Sequence, residues 1–302
     1  MAKIVECVPN FSEGRNKETI EAIRTLIKKH KDVALLDFTP DVDHNRTDVT
    51  IVGSPEAVKA AALDIALKCV ELIDMNKHKG EHPRMGAIDV VPFIPIAEVT
   101  MEECVQLANE FAKEFSEKTY VPCYLYEDAA KREDRRNLAD VRRGEYEGLK
   151  EEIGKNPDRV PDYGPNKVHP TAGATAVGAR FFLIAFNVNL GTTNIEVAKN
   201  IAKAVRQSSG GYQYVKAMGF EIKERSLVQV SMNLTNYQKT PIFRVFETIK
   251  NEARRYGVPV IGSEIVGLVP MEALVGVADH YLQLEKFTID QVLEKRLMEP
   301  KK

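Results

Sequence analysis

VALLDFTPDVDHNRTDVTIVGSPEAVKAAALDIALKCVELID, residues 33–74, decides the fold. VALLDF and TDVTIVG are short runs rich in branched apolar residues, the composition of strands, and the polar TPDVDHNR between them reads as a loop. Ser54 then stands where a helix cap belongs, with Pro55 at the first helical position and Glu56 beside the positive end of the helix dipole, so a long helix is predicted from there. Before this stretch come a strand, KIVECVPN, and a helix from Lys17 to His30 with Ile20, Ile23, Leu26 and Ile27 on one face. After it comes the strand AIDVVPFIPI, whose Pro92 and Pro95 mark a sheet edge or a bulge. The order is strand, helix, strand, strand, helix, strand. That is the split-βαβ arrangement of a ferredoxin-like module, an antiparallel sheet with both helices on one face.

Further along, a helix from Thr100 to about Glu117 and the strand VPCYLY extend the first module. Glu127–Arg159 mixes both signs of charge and reads as solvated helix and a connecting arm. PDYGPNKVHPTAGATAVGAR, residues 161–180, is rich in glycine and proline and reads as a long irregular segment, either a ligand-binding loop or an interdomain linker. Then the first pattern returns. FFLIAFNVNL is a strand, Ile195–Arg206 a helix capped by Thr193 or Asn194, YVKAMGFEIK and SLVQVSMNL a hairpin across residues 223–226, Pro241–Tyr256 a helix, and VPVIGSEI the last strand. The expected fold is α+β, two ferredoxin-like βαββαβ modules with the first extended, divided into domains 1–179 and 180–302.

Composition removes several classes of function. A net charge of −2 over 302 residues gives no electrostatic basis for nucleic-acid binding. The amino terminus lacks the uncharged core of a signal peptide and no apolar run is long enough to span a bilayer, so a cytoplasmic location is expected. Cys7, Cys69, Cys104 and Cys123 show no CxxC spacing and no histidine at ligand distance, so they read as buried thiols and no metal is expected.

Chemistry concentrates in GEHPRMGA, residues 80–87. Pro83 fixes its own torsion and biases His82 toward an extended backbone, presenting an imidazole suited to proton transfer near neutral pH. Arg84 has the fork geometry that holds a carboxylate. Acid/base work on an anionic substrate and a loop histidine bonded to backbone are both compatible with this motif. In the second module, Asn187, Asn189, Ser231, Asn233, Ser263 and Glu264 interrupt apolar strands. Residues two apart face the same side, so Asn187 pairs with Asn189 and Ser231 with Asn233 in a polar patch that serves a ligand, an internal network or strand-end capping.

VECVPNFSEG, the NRT at Asn45–Thr47, GEHPRMGAIDVVPFIP, GATAVGARFFLIAFNVNL, QVSMNL and VGLVP together resemble the formiminotransferase family. In animals its domain forms the amino-terminal part of a bifunctional formiminotransferase-cyclodeaminase. The resemblance spans residues 3–278 and implies transfer of a formimino group from N-formimino-L-glutamate to N5 of tetrahydrofolate, the co-substrate, releasing L-glutamate in histidine degradation. It also implies two ferredoxin-like modules with a substrate tunnel between them, and a homodimer. The chain ends soon after the transferase region, so only the first of the two activities is expected. The family's catalytic histidine falls on His82, and its folate-binding segment on Tyr163, Gly164, Pro165, Asn166, Lys167, Val168, His169, Pro170, Thr171 and Ala172. With those substrates supposed, Arg84 and Arg46 are the best placed in sequence for carboxylates, and Asn187, Asn189, Ser231 and Asn233 for the pterin edge or the adduct. Two other readings stay open: an ATP-dependent enzyme of the 5-formyltetrahydrofolate cyclo-ligase type, and a folate-binding protein without catalysis.

Overall fold

A computed structural model describes residues 2–80 and 83–298, and the chain divides into two compact units, residues 1–180 and 181–302. In the first unit, β1 (Ile4–Cys7) and β2 (Asn10–Phe11) form one interrupted strand, followed by α1 (Lys17–Ile27), β3 (Val33–Asp41), β4 (Arg46–Gly53), α2 (Pro55–Leu72), β5 (Ile88–Ala97) and α3 (Met101–Thr119). β6 (Cys123–Glu127), α4 (Leu138–Val141), α5 (Glu145–Glu152) and β7 (Thr175–Ala179) complete it. The interrupted strand pairs antiparallel with β4 on one side and β5 on the other, and β3 pairs with β4 at the edge. This is the ferredoxin-like order. β7 and β6 then add two parallel strands beyond β5.

Local chemistry explains the elements. Asn16 caps α1 by accepting from the amides of Glu18 and Thr19, and Ile23 and Ile27 on its inner face are fully buried. Thr100 and Glu103 make a reciprocal capping box on α3. Ser54 occupies the cap position of α2, but its side chain makes no cap bond; Pro55 makes the start instead. Val49, Ile51, Val91, Phe93, Leu125 and Val177 point toward α1, α2 and α3 in one core. Each fully buried apolar side chain of this size contributes roughly 1.5–3 kcal/mol.

Three features depart from the sequence reading. The run Thr39–Asp41 is strand, not loop: it continues β3 against Arg46–Asp48, and Pro40 is tolerated because β3 is an edge. The mixed-charge arm carries ion pairs such as Arg132–Asp158 and Arg159–Glu152, as its composition predicts, but it is more than solvated helix. Val141, Leu149 and Ile153 pack on Met85, Val90, Tyr124, Tyr126 and Ala176, forming a second apolar layer on the opposite face of β5, β7 and β6. Finally, the irregular segment 161–180 ends in a strand, β7, buried between β5 and β6. Small residues are required there: a Cβ at Gly178 would lie 2.5 Å from the Tyr126 ring.

The second unit contains β8 (Ile184–Leu190), α6 (Ile195–Val205), β9 (Val215–Ile222), β10 (Leu227–Leu234), α7 (Ile242–Arg255), β11 (Val260–Val266), α8 (Met271–Leu282) and α9 (Leu293–Met298). Its four antiparallel strands run β11-β8-β10-β9, again the ferredoxin-like order. Asn194 is the cap of α6. Ile184, Phe186, Val188 and Leu190 of β8 join Val228, Val230 and Met232 of β10 against Ile201, Val245 and Ile249 of the helices. Among the described residues, no helix is long and apolar enough to cross a membrane, and all four cysteines are buried thiols.

Candidate functional site

Three loops meet at one end of the first sheet. Asn45, buried and in the left-handed region at φ 50°, accepts from the Gly14 amide through Oδ1 (3.0 Å) and donates to the Lys79 carbonyl through Nδ2 (3.0 Å). Arg15 ties the same loops: Nε donates to the Val42 carbonyl (2.7 Å), Nη1 to that of Lys79 (3.0 Å) and Nη2 to that of Asp43 (3.3 Å). The approach is close enough to demand glycine, since a Cβ on Gly80 would stand 2.2 Å from the His44 carbonyl oxygen. His78 pairs through Nε2 with the Asn45 carbonyl at 2.8 Å, which makes that nitrogen the protonated one. Its Nδ1 therefore accepts, from Arg84 Nε at 3.3 Å. Burial, seconded by the Arg84 cation, holds the imidazole below its ordinary value against the opposing bond to Asn45, so it is neutral.

Asn10, Phe11, Ser12, His44, Asn45, Arg46, His78, Arg84 and Asp89 line a small recess at this end. Arg84 is committed: Nη1 donates to Glu145 Oε2 (2.7 Å) and Glu147 Oε2 (2.8 Å), and Nη2 to Glu147 Oε1 (2.7 Å). A substrate carboxylate at this guanidinium would compete with both glutamates. Arg46 Nη2 donates to Asp48 Oδ2 at 2.5 Å, while Asp48 Oδ1 is buried without a hydrogen-bond partner. Burial raises the Asp48 carboxyl above its usual range despite Arg46. By register Asn10 lies beside Asp48. Glu6, on β1, is 3% exposed, and burial pushes its carboxyl up to about 7 against the pull of Arg180. His82 lies outside the described residues.

Segment 163–172 occupies two places. Tyr163 pairs with Cys123, its hydroxyl donates to Asn109 Oδ1 at 2.8 Å, and with Gly164 and Pro165 it borders an open hollow beside the end of α3. Lys167 closes a tight turn onto the Pro165 carbonyl at 2.7 Å, the Asn166 carbonyl lies against Gly154, and Val168 packs on the core. From His169 onward the chain returns to the loop before β5. Pro170 accepts from Asn76 Nδ2 (2.7 Å), Thr171 from the Met75 amide (2.8 Å) and Ala172 from the Ala87 amide (2.9 Å). His169 Nδ1 accepts from the amides of Thr171 and Ala172, a turn-fixing arrangement, and burial lowers its pKa.

In the second unit the cross-strand register puts Asn187 opposite both Ser231 and Glu264, and Asn189 opposite Gln229 and Gly262. Opposed residues share a face. Asn187 Nδ2 and Gln229 Nε2 both donate to Glu264 Oε1 at 3.0 Å, and Gln229 Nε2 also donates to Asn189 Oδ1 at 2.9 Å. Asn233 lies on the same face, opposite Ala185 and Lys216.

Comparison with known proteins brings this geometry to a family. Residues 4–180 match the sequence model described as the formiminotransferase domain, N-terminal subdomain, and residues 185–299 that of the formiminotransferase domain. The chain belongs to the formiminotransferase family. A glutamate formimidoyltransferase of Streptococcus pyogenes serotype M1 is 51% identical over 299 residues, 99% of this chain and 100% of the relative. One of Thermoplasma acidophilum is 49% identical over 297 residues, 97% of each chain. The formimidoyltransferase-cyclodeaminase of Gallus gallus is 47% identical across 96% of this chain, which covers 54% of that longer protein.

For this formiminotransferase-family chain, the structure brings Arg84, Arg46 and Thr171–Ala172 to the loops around residues 75–87, and gathers Asn187, Asn189 and Ser231 with Glu264 on a different sheet. Several residues escaped the sequence reading. His78 sits four positions before His82 in NKHKGEH and was hidden by the more conspicuous histidine. Arg15 and Gln229 carry no local signal, because only the fold brings them to their partners. Glu6 had one: an acid alternating within an apolar strand.

Proposed function

We infer that this chain is a glutamate formimidoyltransferase, moving the formimino group of N-formimino-L-glutamate to N5 of tetrahydrofolate and releasing L-glutamate. The observation that carries this reading is 51% identity along the whole chain to a curated enzyme of that name, with both halves of the family domain present. Tetrahydrofolate is the co-substrate.

The chemistry asks for one proton to leave the attacking N5 and one to reach the departing glutamate nitrogen. His82 is the group proposed to carry both in turn, a contribution of roughly a hundred- to ten-thousandfold. The network of Arg15, Asn45, His78 and Arg84 supports this assignment by fixing the chain on either side of it. Arg46 is the candidate for a substrate carboxylate. Arg84, engaged by Glu145 and Glu147, is proposed to meet substrate only where a carboxylate displaces one of them. The segment Tyr163–Ala172 is proposed to border the folate, and Asn187, Asn189, Ser231 and Asn233 to bind substrate. The working protein is proposed to be a cytoplasmic homodimer.

The test is turnover of formiminoglutamate with tetrahydrofolate, following L-glutamate and 5-formiminotetrahydrofolate, with His82→Ala alongside. Stoichiometric products from the parent and none from a folded variant are expected. Undiminished turnover by His82→Ala removes the proton carrier, and no turnover by the parent removes the function.

A further inference from the structure

The second sheet carries a donor and acceptor pattern that specifies one part of a substrate; the inference rests on the transferase reading above. With α6 and α7 packed on one face of this sheet, the other presents rows fixed by register. One row runs Gly262, Asn189, Gln229, Phe220, and the next Glu264, Asn187, Ser231, Met218. The three amides in these rows are buried, with Asn187 9%, Asn189 4% and Gln229 7% exposed. Their bonds converge on Glu264 Oε1, which takes two amide donors at 3.0 Å, so the carboxylate is held before any ligand arrives. Its other oxygen remains available as an acceptor. Beside it Gly262 leaves a bare patch: a Cβ there would meet nothing closer than Asn189 Nδ2, at 4.0 Å. At the far end of the rows Phe220 and Met218 are exposed apolar groups.

We propose that this surface seats the 2-amino-4-oxopyrimidine ring of the reduced folate, with Glu264 accepting from the ring N3–H and 2-amino group, Asn189 donating to the 4-oxo oxygen, and Phe220 and Met218 carrying the aryl portion. Two adjacent N–H donors complement one fixed carboxylate. The rows span three strand spacings from β11 to β9, roughly 14 Å, room for a bicyclic ring and an arylamine in line. The formamidine of formiminoglutamate also offers two N–H donors, but its single carbon leaves the bare patch and the apolar end without purpose.

The experiment measures binding of 5-formyltetrahydrofolate, its 2-desamino counterpart and formiminoglutamate to the full chain, to Glu264→Gln and to Gly262→Val, with circular dichroism confirming the fold. The parent is expected to prefer the 2-amino compound by roughly 10- to 100-fold, the range of charge-assisted hydrogen bonds, and Glu264→Gln to lose that preference while binding formiminoglutamate unchanged. Gly262→Val, which fills the bare patch, is expected to weaken both folates alike. A preference retained in Glu264→Gln, or variants that weaken formiminoglutamate instead, overturns the assignment. A parent that turns over both substrates but binds the two folates equally overturns it and leaves the transferase reading standing. A parent that neither binds folate nor turns over removes both.

Discussion

His78 Nδ1 accepts a hydrogen bond from Arg84 Nε at 3.3 Å, so a neutral imidazole lies against a guanidinium already held by two glutamates. Protonating that imidazole would set two cations face to face. Because the folded value lies below the ordinary one of about 6.5, the unfolded chain takes the proton first. The stabilisation is complete above that pH and is lost as pH falls toward the folded value. Thermal melts of the parent and of His78→Gln should converge as pH drops below about 6.5. A constant gap down to pH 5 would contradict the neutral assignment.

Arg84 fixes α5 to the loop before β5 through Glu145 and Glu147, and its carbonyl accepts from the Tyr146 amide at 2.9 Å. Arg84→Lys keeps the charge but loses the fork. The expected result is a loss of about 1–3 kcal/mol in denaturant unfolding. Turnover should fall by roughly 10-fold or more through misplacement of the loop. Unchanged stability would show the carboxylates to be spectators.

Glu6 is a buried acid whose folded value, about 7, exceeds the ordinary 4.5. Its effect on stability is therefore most favourable below 4.5 and becomes unfavourable as pH rises through 7. Glu6→Gln should raise the melting temperature at pH 8, by up to about 3 kcal/mol in unfolding free energy, and leave it nearly unchanged at pH 4. The same gain at both pH values would mean that the carboxyl is not titrating.

Gly86 runs so close to β7 that a Cβ would stand 2.1 Å from the Ala174 carbonyl oxygen, a contact with backbone that cannot rotate away. Gly86→Ala should cost roughly 3 kcal/mol or more, visible as loss of soluble protein or a sharply lowered melting temperature. Gly148, with nothing near its added Cβ, is the control, and Gly148→Ala should be neutral or stabilising.

Both ferredoxin-like modules could be read from the chain because their strands and helices carry strong local patterns, such as Ile20, Ile23 and Ile27 on α1 or the alternating Phe186, Val188 and Leu190 on β8. β7 could not, since its Thr-Ala-Val-Gly-Ala sequence reflects the Tyr126 ring above it and not any intrinsic strand preference. The apolar layer of the arm was equally hidden, its Val141, Leu149 and Ile153 being too widely spaced to form a stripe. At the candidate site, Arg84, Arg46 and the Asn187–Asn189 pair stood out by type, whereas Arg15, His78 and Gln229 gain their roles from partners distant in sequence.

The bonds that secure the loop around residues 75–87 all reach far along the chain: Asn45 to Lys79 spans 34 residues, Arg84 to Glu147 spans 63, and Asn76 to Pro170 spans 94. Closing such long excursions is entropically slow, and none of these contacts can form before the hairpin of β3 and β4 and the return at residues 169–172 are in place. The site is thus the last thing this chain builds. During refolding, helix content should recover first and formimino transfer only afterwards, making catalytic competence a kinetic report on completed topology.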